Sequence, residues 1–380
     1  MALRSKLPHI GTTIFTVMSA LANEHKAINL SQGFPNYDCD VRIKDLVSHH
    51  MQIGNNQYAP MAGLIELREA LSMKTKKLYG KEYDPDTEIT ITAGATQAIF
   101  TAITAFIHTN DEVIIFTPSY DCYEPAITLA GGQTRYVPLD PDDFSLNLET
   151  LKKVMSERTR MIILNSPHNP SGTMISAETM TELERLLDGK DIIVLSDEVY
   201  EHIIFDGQVH QSVSRYPGLS ERSIVVSSFG KTYHNTGWKV GHCAAPRELM
   251  DEFRKVHQFN VFCVNRPVQH AFHEILGMEE LFLELGEFYQ AKRDLFFEAV
   301  SSSRFTAAPC EGTYFQLLDY RAISEETDVD LAHRLTIEKG IASIPISVFN
   351  YPENDKRYLR FCFAKNEDTL LRAAEKICAI

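Results

Sequence analysis

Short apolar runs rich in β-branched residues recur through the middle of the chain, at Glu88–Thr92, Val113–Phe116, Met161–Leu164, Ile192–Ser196 and Ile224–Ser227. They do not alternate with polar residues, which is the pattern of strands buried on both faces in a parallel sheet. Between them, Leu64, Leu67 and Leu71 fall at helical spacing, as do Leu183, Leu186 and Leu187. Helices covering the sheet through right-handed crossovers are therefore expected. Beyond residue 281 the pattern changes to a long helix reaching Val300, strands at Tyr314–Leu318 and Tyr358–Phe363, and amphipathic helices at Asp328–Lys339 and Glu367–Cys378. The expected architecture is α/β: a mainly parallel sheet covered by helices in a large domain over 45–281, and a smaller α+β domain over 282–380. An N-terminal arm, 1–44, adds to the smaller unit.

A length of 380 residues, with 44% hydrophobic and 23% charged, is ordinary globular usage and suits one large domain beside a smaller one. The net charge of −14 repels phosphate backbones and anionic lipid, so nucleic acid is not expected as a main partner. Met1–Ile10 is polar and broken by Pro8, unlike a signal peptide. Ala93–Ile107 is interrupted by Gly94 and Gln97 and is shorter than the ~20 residues of a membrane span. The reading is a cytoplasmic protein without a membrane segment. Seven cysteines, with no C-x-x-C pair, read as reduced thiols and not as a zinc site. His49-His50 lies on a polar stretch and reads as solvated, so no metal is expected; Trp238 reads as packing.

In open α/β sheets, ligands bind where strands end and loops begin. Those positions read Gly94-Ala95-Thr96, Pro118-Ser119-Tyr120, Asn165 through Pro170, Asp197-Glu198-Val199-Tyr200 and Ser228-Phe229-Gly230-Lys231. A glycine and small residues opening a helix present free N–H groups to an anion, although such residues are more often there for close packing. Asp197 follows an apolar strand, where a carboxylate is costly without a cation or donor, but it could be a helix cap. Lys231 could be a surface lysine, or a desolvated one acting as a nucleophile towards carbonyls. One cofactor accounts for all the pieces. Pyridoxal phosphate needs a lysine for its aldehyde, an acid for its ring nitrogen and amide donors for its phosphate.

The motifs P-H-N-P-S-G at 167–172, S-D-E-V-Y at 196–200, S-F-G-K-T at 228–232 and G-W-K-V-G at 237–241 resemble those of the class I aminotransferases, which have the type I fold of pyridoxal phosphate enzymes. Leu30 through Pro35, Asp121 through Pro125 and Leu359 through Phe363 resemble the methionine aminotransferase and kynurenine/glutamine transaminase K subgroup. The resemblance implies transamination in two alternating half-reactions between an amino acid and a 2-oxo acid. It makes Lys231 the Schiff-base lysine and Asp197 the partner of the ring nitrogen. Asn169 and Tyr200 would donate to the ring's 3-oxygen, and Tyr120 would stack on the ring. Ala95, Thr96, Ser228 and Lys239 would form the phosphate cup, joined by Tyr58 from the neighbouring subunit of a homodimer with shared sites. Arg360 would grip the substrate carboxylate, flanked by Gly33 and Asn169. Ile14, Phe15, Tyr58, Tyr120 and Phe349 would line the side-chain pocket.

Kynurenine-handling relatives carry tyrosine where this chain has Thr96, and usually phenylalanine where it has Tyr120. No residue assigned to the pocket can pair a second carboxylate, so large uncharged donors, methionine and aromatic amino acids, are expected over aspartate. Two other enzyme readings compete. S-F-G-K satisfies the S-x-x-K of serine β-lactamases, but no S-D-N or K-T-G accompanies it. A carbon–sulfur β-lyase would share the lysine, the aspartate and the arginine, and fold analogy does not separate it from a transaminase. A vitamin-binding regulator fits less well, because no DNA-binding segment is appended.

Overall fold

The computed structural model describes residues 4–351 and 354–380; the first three residues of the expected arm lie outside the described residues. A seven-stranded sheet forms the larger part, from β1 (Ile89–Thr92), β2 (Glu112–Thr117), β3 (Gln133–Pro138), β4 (Thr159–Asn165), β5 (Ile193–Asp197), β6 (Ser223–Ser228) and β7 (Gly241–Ala244). Their spatial order is β1-β7-β6-β5-β4-β2-β3. All neighbours run parallel except β7, which is antiparallel to both β1 and β6. The α/β expectation holds.

Two of these strands are not foreshadowed by apolar runs, for different reasons. β3 reads Q-T-R-Y-V-P and buries only Val137, because it is an edge strand with much of its surface in solvent. β7 reads G-H-C-A, too short for a periodicity to register. Gly241 is required there: a Cβ would lie 2.6 Å from the Ser227 carbonyl and 3.1 Å from the Ala95 nitrogen.

Helices pack both faces of the sheet. The helix Ala95–Phe106 buries Ala98, Ile99, Ala102 and Ile103 against Ile115, Ile163 and Leu195. Met180, Leu183 and Leu187 of the helix Ala177–Leu187 meet the alternate strand residues Ile114, Ile162 and Val194. This split follows from the pleat, which sends successive side chains to opposite faces.

A second, antiparallel sheet is built from β8 (Phe315–Asp319), β9 (Ile344–Pro345) and β10 (Tyr358–Cys362), in the order β9-β10-β8. Its apolar side chains share one core with Tyr289 and Phe296 of the helix Leu285–Ala299 and with Leu370, Ala373 and Ile377 of the helix Glu367–Cys378. Ile28–Asn29 pairs in parallel with Ile341–Ala342, tying the N-terminal segment to this unit. The helix expected over Asp328–Lys339 is α-helical to Arg334, then widens into a π turn over Leu335–Lys339 that ends at Gly340 with φ 66°.

His50 is not solvated. The helix Val41–Gln52 lays it against the helix Arg266–Leu276, where Nε2 lies 2.6 Å from Glu274 and the ring stacks on His270 at 4.7 Å. The polar neighbours of His50 in sequence hide this tertiary packing. Among the described residues no helix is long and apolar enough to cross a membrane.

Candidate active site

The parallel register of β4, β5 and β6 sets Asn165 beside Asp197 and Asp197 beside Val226, so the polar strand ends gather at one edge of the sheet. They open into a cavity of about 280 Å³ lined by Phe15, Gly33, Ala95, Thr96, Tyr120, Asn169, Asp197, Tyr200, Ser228, Lys231, Lys239 and Arg360. That size suits small molecules and not a polymer. Three other residues expected at the site lie apart from this lining. Ile14 packs against the core of the smaller unit, and Phe349 is buried in that core with its ring 5.8 Å from Phe15. Tyr58 is 77% exposed and stands edge-on to Phe262 at 5.1 Å.

Asp197 is buried at the end of β5. Burial pushes its carboxyl up to about 6, against the pull of two hydrogen bonds, from the Tyr123 hydroxyl at 2.7 Å and the Val199 N–H at 3.3 Å. The adjoining acids point the other way. Glu198 accepts from Ser196, His210 and the Val213 N–H. Glu201 accepts from Lys74, Tyr79 and Ser227. The S-D-E-V-Y-E segment thus sends Asp197 and Tyr200 to the cavity, while Glu198 and Glu201 anchor its back in buried polar pairs.

Lys231 sits on the single helical turn Phe229–Thr232 that follows β6. Loss of water around its amine lowers its pKa to about 8. The amine donates to the Tyr314 hydroxyl at 2.8 Å and to the Gly33 carbonyl at 3.3 Å, and the Tyr314 hydroxyl itself donates to Gly33 at 2.6 Å.

At another side of the cavity, Gly94 with φ 79° turns the chain from β1 into the helix Ala95–Phe106, whose first N–H groups have no partner within the helix. Lys239 holds a left-handed backbone, φ 53°, and its Nζ lies 3.4 Å from where a Cβ on Gly94 would stand. Free amides, a helix dipole and an ammonium together make a seat for a dianion.

Arg360 on β10 is fully buried. Its guanidinium donates to Asn169 Oδ1 at 2.7 Å and the Ser31 carbonyl at 3.1 Å, lies 3.8 Å over the Phe315 ring, and has a buried Nε without a partner among the described residues. These hydrogen bonds go to neutral oxygens and not to a carboxylate. A buried cation so placed is stabilised by an anion arriving in the cavity. The residues present therefore fit pyridoxal phosphate together with an amino acid: an amine for the aldehyde, an acid for the ring nitrogen, a seat for the phosphate and a fork for the carboxylate.

Four contributors are missing from the sequence reading. Tyr123 and Tyr314 touch Asp197 and Lys231 directly, Phe315 lies under Arg360, and Asn165 links the Asp197 carbonyl at 3.0 Å to the Asn169 N–H at 2.9 Å. Tyr123 and Asn165 lie within the motifs or strand ends already singled out, while Tyr314 and Phe315 stand where an apolar strand was expected.

Residues 25–377 match the family model for aminotransferase class I and II. The chain is 51% identical over 375 residues to methionine aminotransferase of Escherichia coli K12, covering 98% of this chain and 97% of that one. It is 33% identical to kynurenine–oxoglutarate transaminase of Dictyostelium discoideum, over 97% and 94% of the two chains. A solved Escherichia coli structure, described as having a methionine aminotransferase function, superposes with a TM-score of 0.98 at 50% identity over the whole of both chains.

Proposed function

The chain belongs to the class I and II aminotransferases, and on that premise we propose that it holds pyridoxal phosphate in the cavity described and transfers the amino group of large uncharged amino acids, methionine foremost, to a 2-oxo acid. The observation that carries this reading is the convergence on one small-molecule cavity of a desolvated lysine amine, a buried carboxyl and a buried arginine that has no carboxylate hydrogen-bond partner among the described residues. When bound, the cofactor supplies an aldehyde for the amino group and a ring that accepts the electron pair left at the substrate α-carbon.

The protein's own groups do the rest. Arg360 fixes the substrate carboxylate, a task for a planar fork. That orients the α-carbon towards Lys231, whose depressed pKa leaves a useful fraction of its amine unprotonated near neutral pH. Lys231 takes the α-proton and returns it one carbon away. Asp197 would hold a proton on the ring nitrogen, and Tyr200 and Asn169 would donate to the ring oxygen. Water is kept off by Tyr120 and Phe15, which line the same cavity.

Donor preference follows from the walls. Phe15, Phe34 and Phe315 are apolar, and the cations of the site, Lys231, Lys239 and Arg360, are given to the lysine link, the phosphate and the α-carboxylate. A second carboxylate would be buried unpaired, a cost of several kcal/mol, whereas one methylene changes binding by only ~1–3 kcal/mol. Methionine and aromatic donors are accordingly close to one another and far ahead of aspartate; the 51% identity to a methionine aminotransferase supports the first place of methionine. A homodimer belongs to the same reading. Tyr58, Phe259 and Phe262 expose 77%, 87% and 54% of their surface, a patch suited to cover by a second copy, and the family resemblance assigns Tyr58 to the partner's phosphate seat.

The test is a panel of amino donors against one 2-oxo acid. Parallel initial-rate lines with methionine and phenylalanine well ahead of aspartate support the reading. Intersecting lines, aspartate as best donor by kcat/KM, or release of pyruvate and ammonia from cystathionine faster than any transamination each overturn it.

A further inference from the structure

Tyr314 enters neither the motifs nor the roles above, yet its hydroxyl is the group nearest the amine that moves the proton. The side chain is fully buried, and the rings of Tyr200, Tyr289 and Phe315 stand 5.2, 5.6 and 4.9 Å from it, so the position of the hydroxyl is set by packing. One backbone irregularity and one close approach bring it there. Thr313, immediately before it, holds φ 65°, a conformation costly for a non-glycine residue. On the other side, a Cβ on residue 33 would lie 2.6 Å from Phe315 and 3.3 Å from Tyr314, so only glycine lets the Gly33 carbonyl approach.

A phenol has one proton to give. The Gly33 carbonyl can only accept, and it lies 2.6 Å from the Tyr314 oxygen, closer than the lysine at 2.8 Å. The Tyr314 proton therefore points to Gly33, and the tyrosine offers Lys231 an oxygen lone pair. Lys231 reaches the same carbonyl at 3.3 Å. Two of the three free positions on its nitrogen are then taken by fixed acceptors. The third, a lone pair in the neutral amine, is turned away from them.

We propose that Tyr314 is a positioning residue of the reaction: its hydroxyl, with the Gly33 carbonyl, forms a rest for the Lys231 amine whenever that amine is free, and aims the lone pair that carries the proton. This rests on the assignment of Lys231 made above. Nζ takes the substrate α-proton and later gives it up, while Tyr314 keeps its own proton throughout. Burial supports that constancy by pushing the Tyr314 phenol well above its ordinary range.

Tyr314→Phe removes the acceptor and keeps the ring packing. Misaiming an amine by a fraction of an ångström to an ångström costs about 10- to 100-fold, so kcat on methionine should fall by that factor with KM within about threefold. The α-deuterium isotope effect on kcat should rise, because proton transfer becomes the slower step; a purely structural lesion would lower the melting temperature and leave the isotope effect alone. In the cofactor-free protein, labelling of Lys231 by trinitrobenzenesulfonate should shift its midpoint down by about one pH unit, since an oxygen that stabilised the ammonium is gone. Unchanged kcat and isotope effect would overturn the proposal. A crystal structure of the unmodified enzyme loaded with pyridoxamine phosphate decides it without any variant. Nζ within hydrogen-bond distance of the Tyr314 hydroxyl supports the rest, and an amine turned elsewhere refutes it. If the unmodified enzyme transaminates through Lys231 while Tyr314→Phe matches it, the role of Tyr314 alone fails. If Lys231 carries no cofactor, the parent assignment fails.

Discussion

Replacing Arg360 by lysine keeps a positive charge at the base of the cavity but removes the fork. Arg360 donates from Nη1 to Asn169 and from Nη2 to Ser31, and its Cζ lies 3.8 Å from the centre of the Phe315 ring. An ammonium cannot keep that orientation and also present two parallel N–H groups to a carboxylate. Losing one hydrogen bond between charged groups costs ~1.5–3 kcal/mol. At 1.36 kcal/mol per tenfold, kcat/KM for methionine should fall by about 13- to 160-fold. The assay compares methionine with 3-(methylthio)propylamine, which has the same side chain and no carboxylate. The amine should react at the same low rate, within about threefold, in both proteins. The ratio of methionine to amine should therefore collapse in Arg360→Lys. Equal losses on both substrates would mean that the variant damaged the site generally, and no loss on methionine would remove Arg360 from carboxylate recognition.

Asp197→Asn keeps the shape and removes the charge, so α-proton removal in a single turnover with methionine should slow by several orders of magnitude while cofactor affinity changes less; near-normal turnover would exclude Asp197 from the mechanism. In the cofactor-free protein the same carboxyl titrates at about 6 against an ordinary 3.8. A raised folded pKa gives a contribution to stability that is full below about pH 4 and is lost as pH rises through about 6, a change of about 3 kcal/mol. Urea unfolding of the cofactor-free Asp197→Asn variant should therefore show it gaining on the parent between pH 4 and 7, and a constant difference would contradict the burial argument. Lys74→Met leaves Glu201 buried without its cation and should cost about 3–5 kcal/mol in urea unfolding; a loss under 1 kcal/mol would show that Tyr79 and Ser227 suffice. Mixing Tyr58→Ala with Lys231→Ala subunits should restore some activity if the sites are shared, whereas no recovery would confine Tyr58 to its own subunit.

The central sheet was legible because strands buried on both faces must be apolar on both, a pattern short windows detect. β3 and β7 were not, since an edge strand with exposed residues and a four-residue strand leave little imprint. Within the site, Asp197 and Lys231 stood out as polar groups directly after apolar strands, where their cost demands an explanation. Tyr314 did not stand out: a tyrosine opening an apolar strand looks like core, and only the fold brings β8 beside the Phe229–Thr232 turn and Gly33. His50 failed in the opposite direction, being polar in a polar stretch and yet buried by a helix more than two hundred residues away in sequence.

The most direct test of the account is to reduce the purified yellow protein with borohydride, digest it and locate the reduced pyridoxyl phosphate by mass spectrometry. The account predicts one modified peptide, carrying the group on Lys231, and neither yellow colour nor modified peptide in Lys231→Ala. The group on any other lysine, or retained after that substitution, would contradict it.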